Sequence, residues 1–169
     1  MDAEDGTISP TYAWSSGGNT IGNASSYTVS ATDTNVGDSV VCTATATDSD
    51  GNQVSDTATV IVENSDPMVS NVSILPSFAI TNDATLNCSA SVSDVDETVQ
   101  ETYAWHQNGS QFATGDTVDL ANYTINPSDT ITCEVSVSDS NGGTASDSDS
   151  AGIGNRSPTV TVPTIDILS

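Results

Sequence analysis

Four groups of oxygen-bearing side chains stand out in the sequence: Asp48-x-Asp50-Gly51-Asn52, Asp66-Pro67, Asp94-x-Asp96-Glu97 and Asp139-x-Asn141-Gly142. Carboxylates, an Asn amide and nearby carbonyls are the donors a calcium ion takes, at about six to eight oxygens per ion. Asp, Asn and Gly are also the residues that build turns, their carboxylates accepting nearby backbone N–H groups. Paired carboxylates such as Asp94 and Asp96 could serve acid and base roles in glycoside hydrolysis, but nothing marks a cleft around them, and turn or ion ligand is the reading their setting favours. His106, the only histidine, adjoins Trp105 and so faces the other side of the same strand, as an exposed bystander. Trp14 and Trp105 share parity with Tyr12 and Tyr103, which assigns them to core packing and not to sugar stacking. The sequence has no Gly-x-Ser-x-Gly elbow, no His-Glu-x-x-His helix and no glycine loop ending in Lys to cradle phosphate. It therefore reads as non-enzymatic.

The charge balance narrows the partners. One Lys or Arg stands against 23 Asp and Glu, giving a net charge of −22, and Arg156 is the sole fixed cation. Nucleic acid and anionic membranes need basic residues to neutralise phosphate, so both are excluded as partners. No stretch approaches the roughly 20 apolar residues that span a bilayer, so direct membrane insertion is not expected. Ser and Thr dominate the polar residues where long helices would prefer Glu, Lys and Ala, which points to strands.

A repeat organises those strands. A shift of 91 residues lays Tyr12-Ala13-Trp14 on Tyr103-Ala104-Trp105, Cys42 on Cys133, Asp48 on Asp139, Asn64 on Asn155 and Pro67 on Pro158. The chain accordingly divides into residues 1–64, a first repeat lacking its opening strands, 65–155, a complete repeat, and 156–169, the start of a third repeat or a donor strand. Leu86, Cys88, Ala90 and Val92 alternate with polar residues, as do Ile131, Cys133, Val135 and Val137, which is the period of half-buried strands. Thr102 to Gln107 forms a further strand. Asn108-Gly109 then supplies a type I′ turn into a short strand at Gln111 to Thr114, and Asp50-Gly51 and Gly142-Gly143 mark the last hairpin of each repeat. About seven short strands per repeat, with no amphipathic helix, predict an all-β protein of two tandem immunoglobulin-like antiparallel β-sandwiches.

The order Cys88, Trp105, Cys133 resembles the immunoglobulin fold, in which cysteines on the second and sixth strands join the sheets and a Trp on the third packs against the bridge. More narrowly, Tyr-Ala-Trp, a Gly-Asp or Ser-Asp four residues before Cys, Asp-x-Asp-Gly and an Asn-x-x-Pro joint resemble the tandem immunoglobulin-like or cadherin-like (PKD-like) repeats of large prokaryotic cell-surface proteins. The chain departs from antibody domains at the tyrosine corner, where Ile131 and Val40 stand two residues before Cys133 and Cys42. The resemblance implies a Cys88–Cys133 bridge, worth about 4 kcal/mol by loop-closure entropy, although small buried thiols remain the alternative. The partner of Cys42 would fall before Met1, leaving a free or intermolecular thiol. The resemblance also brings Asp94 and Asp96, Asp139 and Asn141, and Asp66 to one end of a sandwich as a calcium site at the inter-domain joint. Asp5, Asp48 and Asp50 would form the equivalent cluster of the first repeat. At the second joint, Asn155-Arg156-Ser157-Pro158, an Arg stands where a carboxylate would help.

Sequons occur at Asn23, Asn71, Asn87, Asn108, Asn122 and Asn155. With disulfide pairing they predict an extracellular, cell-surface setting, and since Asp2, Glu4 and Asp5 follow Met1 at once, any secretory signal lies elsewhere or was removed. The expected role is a calcium-stabilised stalk or spacer whose partners are neighbouring repeats, further copies of itself, or cell-surface glycans or proteins. The alternative is an extracellular filament subunit: Pro158 to Leu168 carries Val160, Val162, Ile165 and Ile167, enough for one strand donated to a neighbour's first repeat. An adhesive tip gripping a sugar or protein would leave no mark in the sequence.

Overall fold

The computed structural model describes residues 6–160. The chain divides into two compact units: unit 1 is Met1–Pro67 with Ser93–Val99 and Asp139–Gly143, and unit 2 is Met68–Val92, Gln100–Ser138 and Thr144–Ser169. Both are built from antiparallel strands. Among the described residues there is no α-helix, only a three-residue 3-10 turn at Leu120–Asn122.

Unit 1 contains β1 (Thr11–Ser16), β2 (Asn19–Gly22), β3 (Ser39–Thr47) and β4 (Gln53–Ile61), in one sheet of order β2-β1-β3-β4. The β1–β2 hairpin turns through Gly17 and Gly18, at φ 56° and 82°, a left-handed pair that side chains with a Cβ seldom adopt. Val40 is sealed at one end of β3, but Cys42, Ala44 and Ala46 are only half-buried, and every residue of β4 is exposed. Trp14 is likewise half-buried, so the expectation of a core tryptophan holds only in part here. No second sheet faces this one among the described residues to complete its burial.

Unit 2 contains β5 (Met68–Leu75), β6 (Thr85–Ser93), β7 (Glu101–Gln107), β8 (Ser110–Thr114), β9 (Thr117–Asp119), β10 (Thr130–Ser138) and β11 (Thr144–Gly152). They form two sheets, β5-β6-β9 and β11-β10-β7-β8. The alternation along β10 buries Ile131, Cys133, Val135 and Val137 while Thr132, Glu134 and Ser136 stay partly in solvent, and Leu86 and Cys88 meet them from β6. A disulfide joins Cys88 on β6 to Cys133 on β10, one cysteine from each sheet. Trp105 on β7 is fully buried in the same cluster, its indole N–H donating to the Gly115 carbonyl at 2.8 Å. The seven strands, the bridge between sheets and the tryptophan beside it make unit 2 an immunoglobulin-type β-sandwich. The predicted Asn108-Gly109 turn is present, with φ of 50° and 86°.

His106 is half-buried, not exposed. It lies on the outer face beside β10, where its Nε2 is 3.8 Å from Glu134, because cross-strand neighbours on a sheet shield one another even on the solvent side.

Candidate functional site

The acidic residues gather where the segment 64–67 meets the loops 93–99 and 139–143, all within unit 1. The loop 139–143 is a tight return between β10 and β11. Asp139 Oδ1 accepts the N–H groups of Asn141 at 2.9 Å and Gly143 at 2.7 Å, and the Asp139 N–H donates to the Gly143 carbonyl at 3.0 Å. This is the turn chemistry of an Asp closing its own loop. The remaining oxygen, Oδ2, accepts from the side-chain amide of Asn64 at 2.8 Å. That bond, followed by those from the backbone amides, holds the Asp139 carboxyl below the usual carboxylate range.

Gly143 shows how closely carboxylates approach here. A Cβ at this position would come within 2.6 Å of both Asp139 Oδ2 and Asp66 Oδ1 and meet the Pro67 ring at 3.0 Å, so any side chain would collide with the cluster. In the other loop, Asp94 Oδ1 accepts the N–H groups of Asp96 at 2.7 Å and Glu97 at 3.3 Å. Asp96 Oδ2 accepts the Ser65 N–H at 2.6 Å, which ties the loop to the segment before Asp66. Glu97 reaches across to the 139–143 loop, accepting from the backbone N–H of Ser140 and from its hydroxyl at 2.9 Å. Of the predicted ligands, Asn141 lies at the rim, its amide 3.5 Å from Ser140 Oγ.

Two oxygens in this tip, Asn64 Oδ1 and Asp94 Oδ2, are sealed from solvent and accept no hydrogen bond. A buried acceptor without a donor is costly, and a hard cation is one way to satisfy it. Asn64, Asp66, Asp94 and Asp139 thus offer amide and carboxylate oxygens of the kind such a cation takes. The ligands are not gathered, however, since no three acidic, His or Cys side chains surround a common point among the described residues.

The cluster expected in the first repeat is arranged differently. Asp5 lies outside the described residues. Asp48 spends both oxygens on its own turn: Oδ1 accepts the N–H groups of Asp50 at 3.0 Å and Asn52 at 2.7 Å, and Oδ2 accepts the Asn52 amide at 2.8 Å. The Asn52 side chain first, then its backbone amide, lowers the Asp48 pKa. Asp50 is exposed on the turn, and Arg156 pairs with Asp83 in unit 2.

The sequence motifs placed Glu97 in the Asp94-x-Asp96-Glu97 group but gave no sign that Asn64 and Gly143 belong to this tip, or that Asp38 and Asp129, four residues before Cys42 and Cys133, act as latches. Asp129 Oδ2 accepts the Asn126 N–H at 2.8 Å and the Gln107 amide at 2.6 Å, while Asp38 Oδ2 accepts the Asn35 N–H at 2.9 Å and the Ser16 hydroxyl at 3.2 Å. Their signal was the repeat itself. Cys42 is a free, half-buried thiol. All six sequon asparagines are exposed, but Asn108 has its amide nitrogen, the atom a glycan would take, bonded to Asp129 at 2.8 Å, and its oxygen accepts the Thr130 N–H at 2.9 Å.

No known protein family matches the chain, and no curated protein matches it. Among solved structures, fibronectin(III)-like modules of Clostridium thermocellum CbhA align over 91% of this chain and 82% of theirs, at 15% identity and a TM-score of 0.40. The assignment of the fold rests on the strand order, bridge and buried tryptophan of unit 2.

Proposed function

We propose that the chain is a non-enzymatic structural segment of an extracellular, cell-surface protein, a spacer built from sandwich repeats and stabilised by calcium at the Asn64–Asp66 tip. The observation that carries this reading is the pair of sealed, unpartnered oxygens, Asn64 Oδ1 and Asp94 Oδ2, among the carboxylates of Asp66 and Asp139. The Cys88–Cys133 disulfide supports an oxidising compartment. Exposed sequons outside the hydrogen-bond network, such as Asn23 and Asn155, would carry glycans that keep an acidic surface solvated.

The test is a thermal melt in millimolar calcium, in magnesium and in chelator. Binding to the folded state raises the melting temperature by mass action, and the expected rise is a few degrees with calcium alone. Asp94→Asn keeps the Oδ1 acceptor for the turn but removes the charge at Oδ2, and it should abolish the rise. Superimposable melts in calcium and chelator would discard the ion.

A further inference from the structure

Unit 2 shows what belongs over a sheet of this kind. Its β5 lies against the inner side of β11, with the Ile74 N–H donating to the Asp149 carboxylate at 2.9 Å and the Ile74 side chain sealed in the core. In unit 1 the equivalent strand is β4, where Val60, Ala58 and Val54 pair with Val40, Cys42 and Ala46 on one face of the sheet. Val54 is 71% and Val60 56% exposed, large apolar residues with nothing over them among the described residues.

The segment that could cover them is in the sequence. The shift of 91 that lays unit 1 on unit 2 also lays Pro158 on Pro67, Val160 on Val69 and Ile165 on Ile74. The two segments share a change of phase. In β5 the core-directed residues pass from Val69 to Val72 and Ile74 around Asn71, whose φ is 55°. After Pro158 the apolar residues are Val160, Val162, Ile165 and Ile167, of which Val160 and Ile165 fall on Val69 and Ile74, while Val162 falls on Asn71 and Pro163 on Val72. A proline is tolerated on an edge strand, where its missing N–H breaks no central ladder. Charge favours the same segment: in a chain of net charge −22, residues 157–169 carry a single ionisable side chain, Asp166. It can approach an acidic surface at little electrostatic cost.

We propose that residues 159–167 of one copy of this chain dock along the Val54, Ala58 and Val60 face of β4 in a second copy, as β5 docks on β11, joining copies head to tail. The contact is apolar, since Ala58 stands where Asp149 receives the Ile74 N–H. The inference rests on the reading of the chain as a structural repeat but not on calcium, so the melts above and the binding below can fail separately.

The test uses the full chain and a variant carrying Ile165→Asp and Ile167→Asp, positions outside the described residues. By light scattering across a concentration series, the wild-type chain should form open-ended oligomers and the variant should stay monomeric. A fluorescein-labelled peptide of residues 157–169 should then bind the variant saturably by anisotropy, a scrambled peptide should not, and adding Val60→Asp should weaken binding by about tenfold or more, as expected for a charge placed in an apolar contact. Val60 is exposed, so this change leaves folding intact. Equal affinity with Val60→Asp, no peptide binding, or oligomers that persist in the Ile165→Asp, Ile167→Asp chain would overturn the proposal, the last pointing to direct pairing of two unit 1 faces.

Discussion

Trp14 on β1 and Trp105 on β7 occupy equivalent places, and each donates its indole N–H to the carbonyl ten residues on, Ala24 at 2.9 Å and Gly115 at 2.8 Å. Thr11 and Thr102 repeat another detail, each hydroxyl donating at 3.2 Å across the sheet, to the carbonyls of Thr45 and Ser136. The turns through Asp48 and Asp139 close alike, with the same 3.0 Å backbone bond at their base. Yet Trp105 is sealed while Trp14 is half-exposed and leans on Tyr27, ring centroids 5.8 Å apart. Strand pairing, turns and polar latches are properties of one sheet and form in both units. Burial needs an opposing layer, which unit 2 has in β5-β6-β9 and the described residues of unit 1 lack.

This contrast can be broken by experiment. Trp105→Ala empties a sealed site between two sheets and should cost about 3–5 kcal/mol, whereas Trp14→Ala should cost only about half of that or less, because solvent already shares its surface. Far-UV circular dichroism melts of the two variants measure the difference, and equal losses would mean that unit 1 is covered in solution. The cysteines come next. Replacing Cys88 and Cys133 together by Ala should destabilise unit 2 by about 4 kcal/mol, while Cys42→Ala stays within about 0.5 kcal/mol of the wild type. In the native, unreduced protein a maleimide should modify one thiol per chain, Cys42; mass spectrometry showing none would place that residue under cover.

The smallest expected effect concerns acid. The Asn108 side-chain amide, then the Asn126 N–H and the Gln107 amide, hold the Asp129 carboxyl below the usual range. A carboxyl whose folded pKa is depressed contributes stability that is complete above its unfolded value of about 3.9 and is lost as the pH falls through the folded value. Melting temperatures should therefore decline below about pH 4, and less steeply in Asp129→Asn, which keeps an acceptor but no charge. Parallel declines would show that the latch carries no charge-dependent stability.

Much of this was legible in the residues. The hairpin at Asn108-Gly109 was readable because a type I′ turn needs two residues tolerant of positive φ. The strands of unit 2 were readable because a two-sided sheet writes its period into Ile131, Cys133, Val135 and Val137. The roles of the acids were less so. Asp48 and Asp139 both read as candidate ligands, but in the folded chain Asp48 closes its turn with both oxygens while Asp139 turns its second oxygen to Asn64. Which loop a side chain meets depends on contacts distant in sequence, and these leave no local signature. The half-buried state of Trp14 was hidden for the same reason, since its neighbours in sequence match those of Trp105.

By itself, then, the sequence determined the all-β composition, the repeat of 91 residues and the turn positions, because alternation, turn chemistry and spacing are local or periodic quantities, whereas the Cys88–Cys133 bridge was an expectation carried by the resemblance to the immunoglobulin fold. Tertiary structure alone decided which equivalent residues are sealed, which carboxylate oxygens are left without a donor, and which face of β4 stands open. Those are properties of the second layer and the meeting loops, and burial is conferred by whatever lies opposite.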